Sequence, residues 1–246
     1  MSEYISIIDI PFLNADKEIF YNELSKRIDN QLKTFVVTAN PEIVYETTVN
    51  ATYKTAIKNA DYIIADGIGI ILASKIACTP LKERIAGYDL FIHLLCYANK
   101  QGNKVYFYGS KNKTLTEMIS KINALYPKIK VVGYQNGFDT NNSKVVNDIR
   151  HLEPDFVFVA KGLPKQELWI NENINQFKKG VFIGVGGSFD VLAGEVKRAP
   201  KLWINLNLEW LYRLVRQPKR IFRFIRLPLF LLKFLLWNYV FKRFKK

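Results

Sequence analysis

The sequence predicts an α/β protein with a Rossmann-like, mostly parallel sheet and helices on both faces, and three observations carry that expectation. From the N-terminus to about residue 196, short β-branched or aromatic runs alternate with longer segments of helical spacing. Several runs, such as FVFVA at 156–160, are apolar at every position, as strands covered on both sides are. The residues after these runs are rich in glycine and small polar side chains, and the carboxyl ends of strands are where an open parallel sheet holds its ligands.

In chain order, strands are expected at 4–8 (YISII), 34–37 (TFVV), 62–65 (YIIA), 105–108 (VYFY), 129–132 (IKVV), 156–160 and 181–185 (VFIGV). Helical spacing falls near 16–29, 41–58, 68–76, 88–100, 112–125, 142–151 and 165–176. No internal repeat and no low-complexity linker interrupts them. The reading divides the chain into an α/β catalytic domain over 1–196 and a helical appendage over 197–246.

At 246 residues, 49% hydrophobic and 24% charged, the chain is long and apolar enough to bury a substantial core, which excludes wholesale disorder. Cys78 and Cys96 make no disulfide framework, and His93 and His151 are too few for a zinc cluster. The opening MSEYISIIDI lacks a basic n-region, a long apolar core and a cleavage site, so a cytoplasmic location is expected. The net charge of +14 is concentrated in the last fifth of the chain, where fourteen Lys or Arg meet one acid, Glu209. Such a block faces a polyanion: nucleic acid, an anionic membrane or a phosphate-bearing substrate.

Six strand-end loops carry the small and polar residues. They are Thr38-Ala39-Asn40-Pro41, Asp66-Gly67-Ile68-Gly69, Gly109-Ser110, Gly133 to Gly137, Lys161 to Gln166, and Gly184-Val185-Gly186-Gly187-Ser188. Glycines let backbone amides approach a phosphate in front of a helix N-terminus, although glycine also closes ordinary turns. There is no GxxxxGK[ST] loop, and Gly67-Ile68-Gly69 lacks the third glycine of the dinucleotide fingerprint. Without an Asp-x-Asp pair, an HExxH or a GxSxG element, a reacting phosphate ester would depend on Lys, Arg and backbone amides, with no metal expected.

In the appendage, 201–216 is expected to be one helix with Trp203, Leu206, Trp210, Leu211 and Leu214 on an apolar stripe. Arg213, Arg216, Arg220 and Arg223 follow at spacings that align them on one face, which suggests phosphate. Phe222, Ile225, Leu229, Leu232 and Leu236 make a second stripe in a basic amphipathic helix. Arg226 and Lys233 interrupt it, so it is expected to lie on an anionic membrane surface rather than span it. The stripe also fits packing on the core or a homo-oligomer interface, whereas too few polar residues accompany it for nucleic acid.

Thr38 to Glu42, Asp61 to Gly69, Arg84 to Asp89, Pro164 to Glu167, Gly184 to Asp190, Lys197 to Pro200 and Leu208 to Arg213 together resemble the WecG/TagA/CpsF glycosyltransferases, glycosyltransferase family 26. The resemblance runs over about 5–225. It implies a Rossmann-type enzyme that moves N-acetylmannosamine, or a related sugar or uronate, from a UDP donor to an undecaprenyl-diphosphate-linked sugar, with inversion, without a metal and with no cofactor beyond its substrates.

By that resemblance Asp66 is the general base, and Thr38, Asn40 and Arg84 share its pocket. Gln166 positions the sugar or the diphosphate, and Lys165, Gly109, Gly186, Gly187 and Ser188 belong to the donor-binding loops. Arg213, Arg220 and Arg223 hold a diphosphate. Taken alone, Asp66 also fits a helix N-cap before Gly67, Thr38 and Asn40 fit caps or turns, and Arg84 a solvated loop charge. A binding protein of the same fold, acting as a nucleotide-sugar and membrane adaptor, is the alternative to an enzyme. An NAD-dependent oxidoreductase is disfavoured by the incomplete fingerprint.

Overall fold

The computed structural model describes residues 3–139, 142–216 and 225–244. Six strands form one parallel sheet: β3 (Thr34–Ala39), β4 (Tyr62–Ala65), β5 (Lys104–Gly109), β6 (Lys130–Gln135), β7 (Phe156–Ala160) and β8 (Val181–Gly184). Their order is β4-β3-β8-β7-β5-β6. The expected α/β class with a parallel Rossmann-like sheet is therefore what the chain adopts.

Side chains alternate between the two faces of the sheet, as the two-residue period of a strand requires. Phe35, Val37, Ile63, Tyr106, Val157 and Phe182 point into one apolar layer, and Val36, Ile64, Phe107, Phe158 and Ile183 into the other. Helices α2 (Pro41–Val49), α3 (Ala51–Lys58), α4 (Ile68–Ile76), α7 (Asn142–Leu152) and α8 (Lys165–Asn173) cover the first layer. The second lies under α1 (Lys17–Asp29), α5 (Gly87–Gln101), α6 (Asn112–Leu125) and α9 (Ser188–Ala193).

Three expectations change. The run at 4–8 does not join the main sheet: β1 (Glu3–Ile7) pairs antiparallel with β2 (Ile10–Asn14), a strand whose Pro11 disguises it. The hairpin turns through Ile8 and Asp9 at φ 49° and 59°, which is unusual for a β-branched residue such as Ile8. The segment 41–58 is two helices, because the Asn50 side chain accepts from the Tyr53 backbone N–H at 2.9 Å and caps α3. The segment 201–216 is likewise broken into α10 (Lys201–Asn205) and α11 (Glu209–Arg216), with Asn207 in the left-handed region at φ 60°.

The C-terminal helix, α12 (Arg226–Phe244), packs mainly on α2 and touches α4. Phe230 and Phe234, one turn apart, are buried in the first layer, while Leu229, Leu232 and Leu236 of the expected stripe face outward. Arg226 pairs with Glu42 at 3.1 Å and Glu46 at 3.3 Å, and the Trp237 indole donates to Asp9 at 3.2 Å. Among the described residues no helix is long and apolar enough to cross a membrane.

Candidate active site

All six strands of the main sheet run in one direction, so the loops singled out in the sequence emerge at one edge. The chain leaves β5 for β6 on one side and β7 for β8 on the other, which opens a crevice between the ends of β5 and β7. Gly109 closes that crevice at φ +128°, and a Cβ there would stand 2.4 Å from the Ala160 carbonyl carbon. Beside it the Lys161 ammonium donates to the Tyr108 hydroxyl at 2.5 Å.

A cleft of about 720 Å³ opens over the ends of β3 and β4. Asn40, Asp66 and Arg84 line it, from the loops after β3, after β4 and before α5 respectively. Thr38 joins them from β3: a Cβ built on Gly87 would lie 3.0 Å from Thr38 Oγ1 and 3.2 Å from Asp66 Oδ2. The four polar residues that the resemblance grouped are thus neighbours in space. The N-cap of α4 is Gly67, at φ 89°, rather than Asp66. Asn40 Oδ1 does cap α2, accepting from the Ile43 backbone N–H at 3.0 Å, and this fixes the side chain at the cleft wall.

Three helices begin at this cleft, α2 after Asn40, α4 after Gly67 and α5 after Ala86. Their N-termini supply positive potential and backbone N–H groups, so the mouth suits an anion. The far wall is different in character, being made of Ile68, Leu72 and Ile76 from α4 and Leu227 and Leu231 from α12.

Of the other predicted residues, Lys165, Gln166, Gly186, Gly187 and Ser188 form a second group beyond the ends of the neighbouring strands β7 and β8. Gln166 is buried, and its Oε1 accepts from the backbone N–H groups of Gly162 at 3.2 Å and Gly186 at 3.1 Å. Its Nε2 donates to Glu167 at 2.6 Å, and Glu167 also accepts from the Tyr53 hydroxyl at 3.0 Å. Gln166 therefore ties the loop after β7 to the loop after β8. Burial pushes the Glu167 carboxyl up to about 7, although the hydrogen bonds from Gln166 and Tyr53 oppose that rise. Lys165 is exposed at the start of α8, and Gly186, Gly187 and buried Ser188 lead into α9. Arg213 belongs to α11, and Arg220 and Arg223 lie outside the described residues.

Several residues that shape the site escaped sequence reasoning. Glu209, Trp210 and the α12 residues Leu227, Pro228, Phe230 and Leu231 border the cleft, although they are distant in sequence from Asp66. Arg198 pairs with Asp89 at 2.6 Å and lies 4.7 Å from the centre of the Tyr88 ring, so it holds the loop before α10 against the start of α5. The only signal for that contact was that the segments carrying both residues recur in one resemblance. Among the described residues no three His, Cys, Asp or Glu side chains converge as a metal site.

Comparison with known proteins adds to this geometry. The sequence model of the glycosyl transferase WecG/TagA/CpsF family matches residues 5–245. An N-acetylglucosaminyldiphosphoundecaprenol N-acetyl-beta-D-mannosaminyltransferase of Bacillus subtilis strain 168 is 40% identical over 224 residues, 91% of this chain and 88% of the relative. The protein of that name from Staphylococcus aureus strain MW2 is 40% identical over 231 residues, 93% of this chain and 91% of the relative.

Proposed function

The chain belongs to the WecG/TagA/CpsF glycosyltransferase family, and from that premise we propose that it moves N-acetylmannosamine, or a closely related sugar, from a UDP donor to an undecaprenyl-diphosphate-linked N-acetylglucosamine. The observation that carries the reading is the cleft itself: a carboxylate, Asp66, stands beside Thr38 and Arg84 where three helices begin, opposite an apolar wall.

In the proposed reaction Asp66 takes the proton of the acceptor hydroxyl as its oxygen attacks the anomeric carbon. The bond from that carbon to the UDP oxygen breaks on the opposite side, so the anomeric configuration inverts. The departing diphosphate carries the electron pair away, and its charge is met by Lys165, by the backbone amides of the donor loops and by Arg213, Arg220 and Arg223. This arrangement needs neither a metal nor a cofactor. A positioned base is worth about 10²- to 10⁴-fold in rate. Lys165, Gly109, Gly186, Gly187 and Ser188 would cradle the donor, with Gln166 setting the distance between two of their loops.

The outward face of α12, with Leu229, Leu232 and Leu236 beside Lys233, supports a place on the cytoplasmic face of an anionic membrane, where a lipid-linked acceptor is found. Residues 197–246 then act as the membrane- and diphosphate-binding appendage of the α/β domain. A polymer such as teichoic acid or an exopolysaccharide is the product class this acceptor serves.

The test is a transfer assay in detergent, without metal, on a short-chain lipid-diphosphate N-acetylglucosamine with a panel of UDP-sugars, following released UDP and product mass. Native enzyme should give a disaccharide-lipid, and Asp66→Asn should lose turnover while still binding UDP. Equal turnover by Asp66→Asn would remove Asp66 from the role of base. UDP binding without transfer by the native chain would favour the adaptor reading.

A further inference from the structure

We propose that the apolar part of the cleft, between α4 and α12, is the subsite for the first isoprene units of the acceptor's lipid, an inference that rests on the acceptor class proposed above. Ile68, Leu72 and Ile76 recur every four residues along α4 and all line the cleft. Leu227 and Leu231, again one turn apart, line it from α12. From Ile68 to Ile76 the wall extends about 12 Å at the α-helical rise.

The order of chemistry along the cleft matches the order of groups in such an acceptor. Asn40, Asp66 and Arg84 occupy the end where α4 begins, and the leucine and isoleucine side chains follow as α4 runs away from it. A sugar hydroxyl at Asp66 puts the diphosphate near Arg84 and the helix N-termini, so the hydrocarbon must leave along the apolar side. The wall is unfilled: Leu72, Ile76 and Leu231 remain 50%, 46% and 46% exposed. Large apolar side chains left open on two facing helices mark a place for an apolar ligand. Leu235, one turn beyond Leu231 and also 46% exposed, extends the path onto the outward face of α12, which leads the rest of the chain toward a bilayer.

The full-length enzyme is assayed without detergent on N-acetylglucosamine diphosphate esters carrying one, two or three isoprene units, each kept below its aggregation threshold. Each added unit should raise kcat/KM by about tenfold, the gain from burying roughly two methylene groups. In Leu72→Ser/Ile76→Ser the increment should fall to about twofold or less, and Leu231→Ser on α12 should reduce it independently. Leu125→Ser, at an exposed position on α6, should keep the native increment. Native increments in both the double and the Leu231→Ser variants would overturn the subsite. So would a double variant whose only change, by sedimentation, is in oligomeric state, because the groove would then be an interface between copies. Failure of the native enzyme to use any ester would overturn the acceptor class itself, and this subsite with it.

Discussion

Arg226, the first residue of α12, lies 3.1 Å from Glu42 in the first turn of α2, and its other terminal nitrogen reaches Glu46 one turn further on. Glu42 itself lines the cleft, so this pair joins the C-terminal helix to the site. The pair is partly solvated and is worth about 1 kcal/mol. The fully buried Phe234 ring should be worth about 3 kcal/mol or more. Arg226→Ala should therefore speed amide exchange in α12 by roughly fivefold to tenfold, and Phe234→Ala by at least a hundredfold. Hydrogen exchange across α12 measures both. Equal effects would mean that the ion pair holds the helix as strongly as the aromatic contact does.

Gly87 offers a test that separates stability from activity. It opens α5 without a left-handed φ, so alanine should suit the helix and stabilise it by up to about 1 kcal/mol. The added methyl, however, would press on Thr38 Oγ1 at 3.0 Å and Asp66 Oδ2 at 3.2 Å. Gly87→Ala should keep or raise the melting temperature while transfer falls by tenfold or more, since small misplacements of a reacting group are costly. A melting temperature that falls along with activity would place the damage in the fold.

Gly109 should respond in the opposite way. Its φ of +128° is closed to other residues, and the space for a Cβ is already occupied by the Ala160 carbonyl. Gly109→Ala should destabilise the protein by about 2 to 4 kcal/mol by forcing β5 and β7 apart. Thermal unfolding should shift down by roughly 5 to 15 °C for a chain of this size. A shift below about 2 °C would show that the crevice between the two strands adapts freely.

The parts of this molecule that were legible in the sequence are those where one local pattern decides the outcome. FVFVA is apolar at every position because β7 is covered on both sides, and Thr38, Asn40 and Asp66 stand at strand ends, where a parallel sheet exposes its loops. What escaped depends on partners far along the chain. Asn50 reads as an ordinary helical residue until its side chain is found on the Tyr53 amide. Pro11 conceals β2, whose turn uses Ile8-Asp9 where asparagine and glycine would have announced a hairpin. In α12 nearly every side is apolar, so periodicity picked out Leu229, Leu232 and Leu236 but could not identify Phe230 and Phe234 as the docked pair. The Gln166 clamp needs Tyr53, Gly162 and Gly186 together, and no local pattern connects them.

The buried Glu167 predicts a pH dependence of stability with a definite sign. Its carboxyl is raised from 4.5 to about 7 in the folded protein, so folding takes up a proton between these values. The stabilising contribution of the protonated form is complete below pH 4.5, the unfolded value, and is lost as the pH rises through about 7. The change amounts to about 3 kcal/mol. Asp155 works in the other direction: despite its burial, the bonds from Lys179, the Lys104 amide and Asn103 hold it below its ordinary value of 3.8, so its contribution is lost only in stronger acid. Glu167→Gln removes the first titration and leaves the second. Denaturant unfolding from pH 4.5 to 7.5 should show native stability falling with pH, while that of Glu167→Gln stays nearly flat and gains on the native protein toward neutrality. Parallel curves for the two proteins would mean that Glu167 is already ionised throughout that range, and that the Gln166 clamp rests on a carboxylate at every working pH.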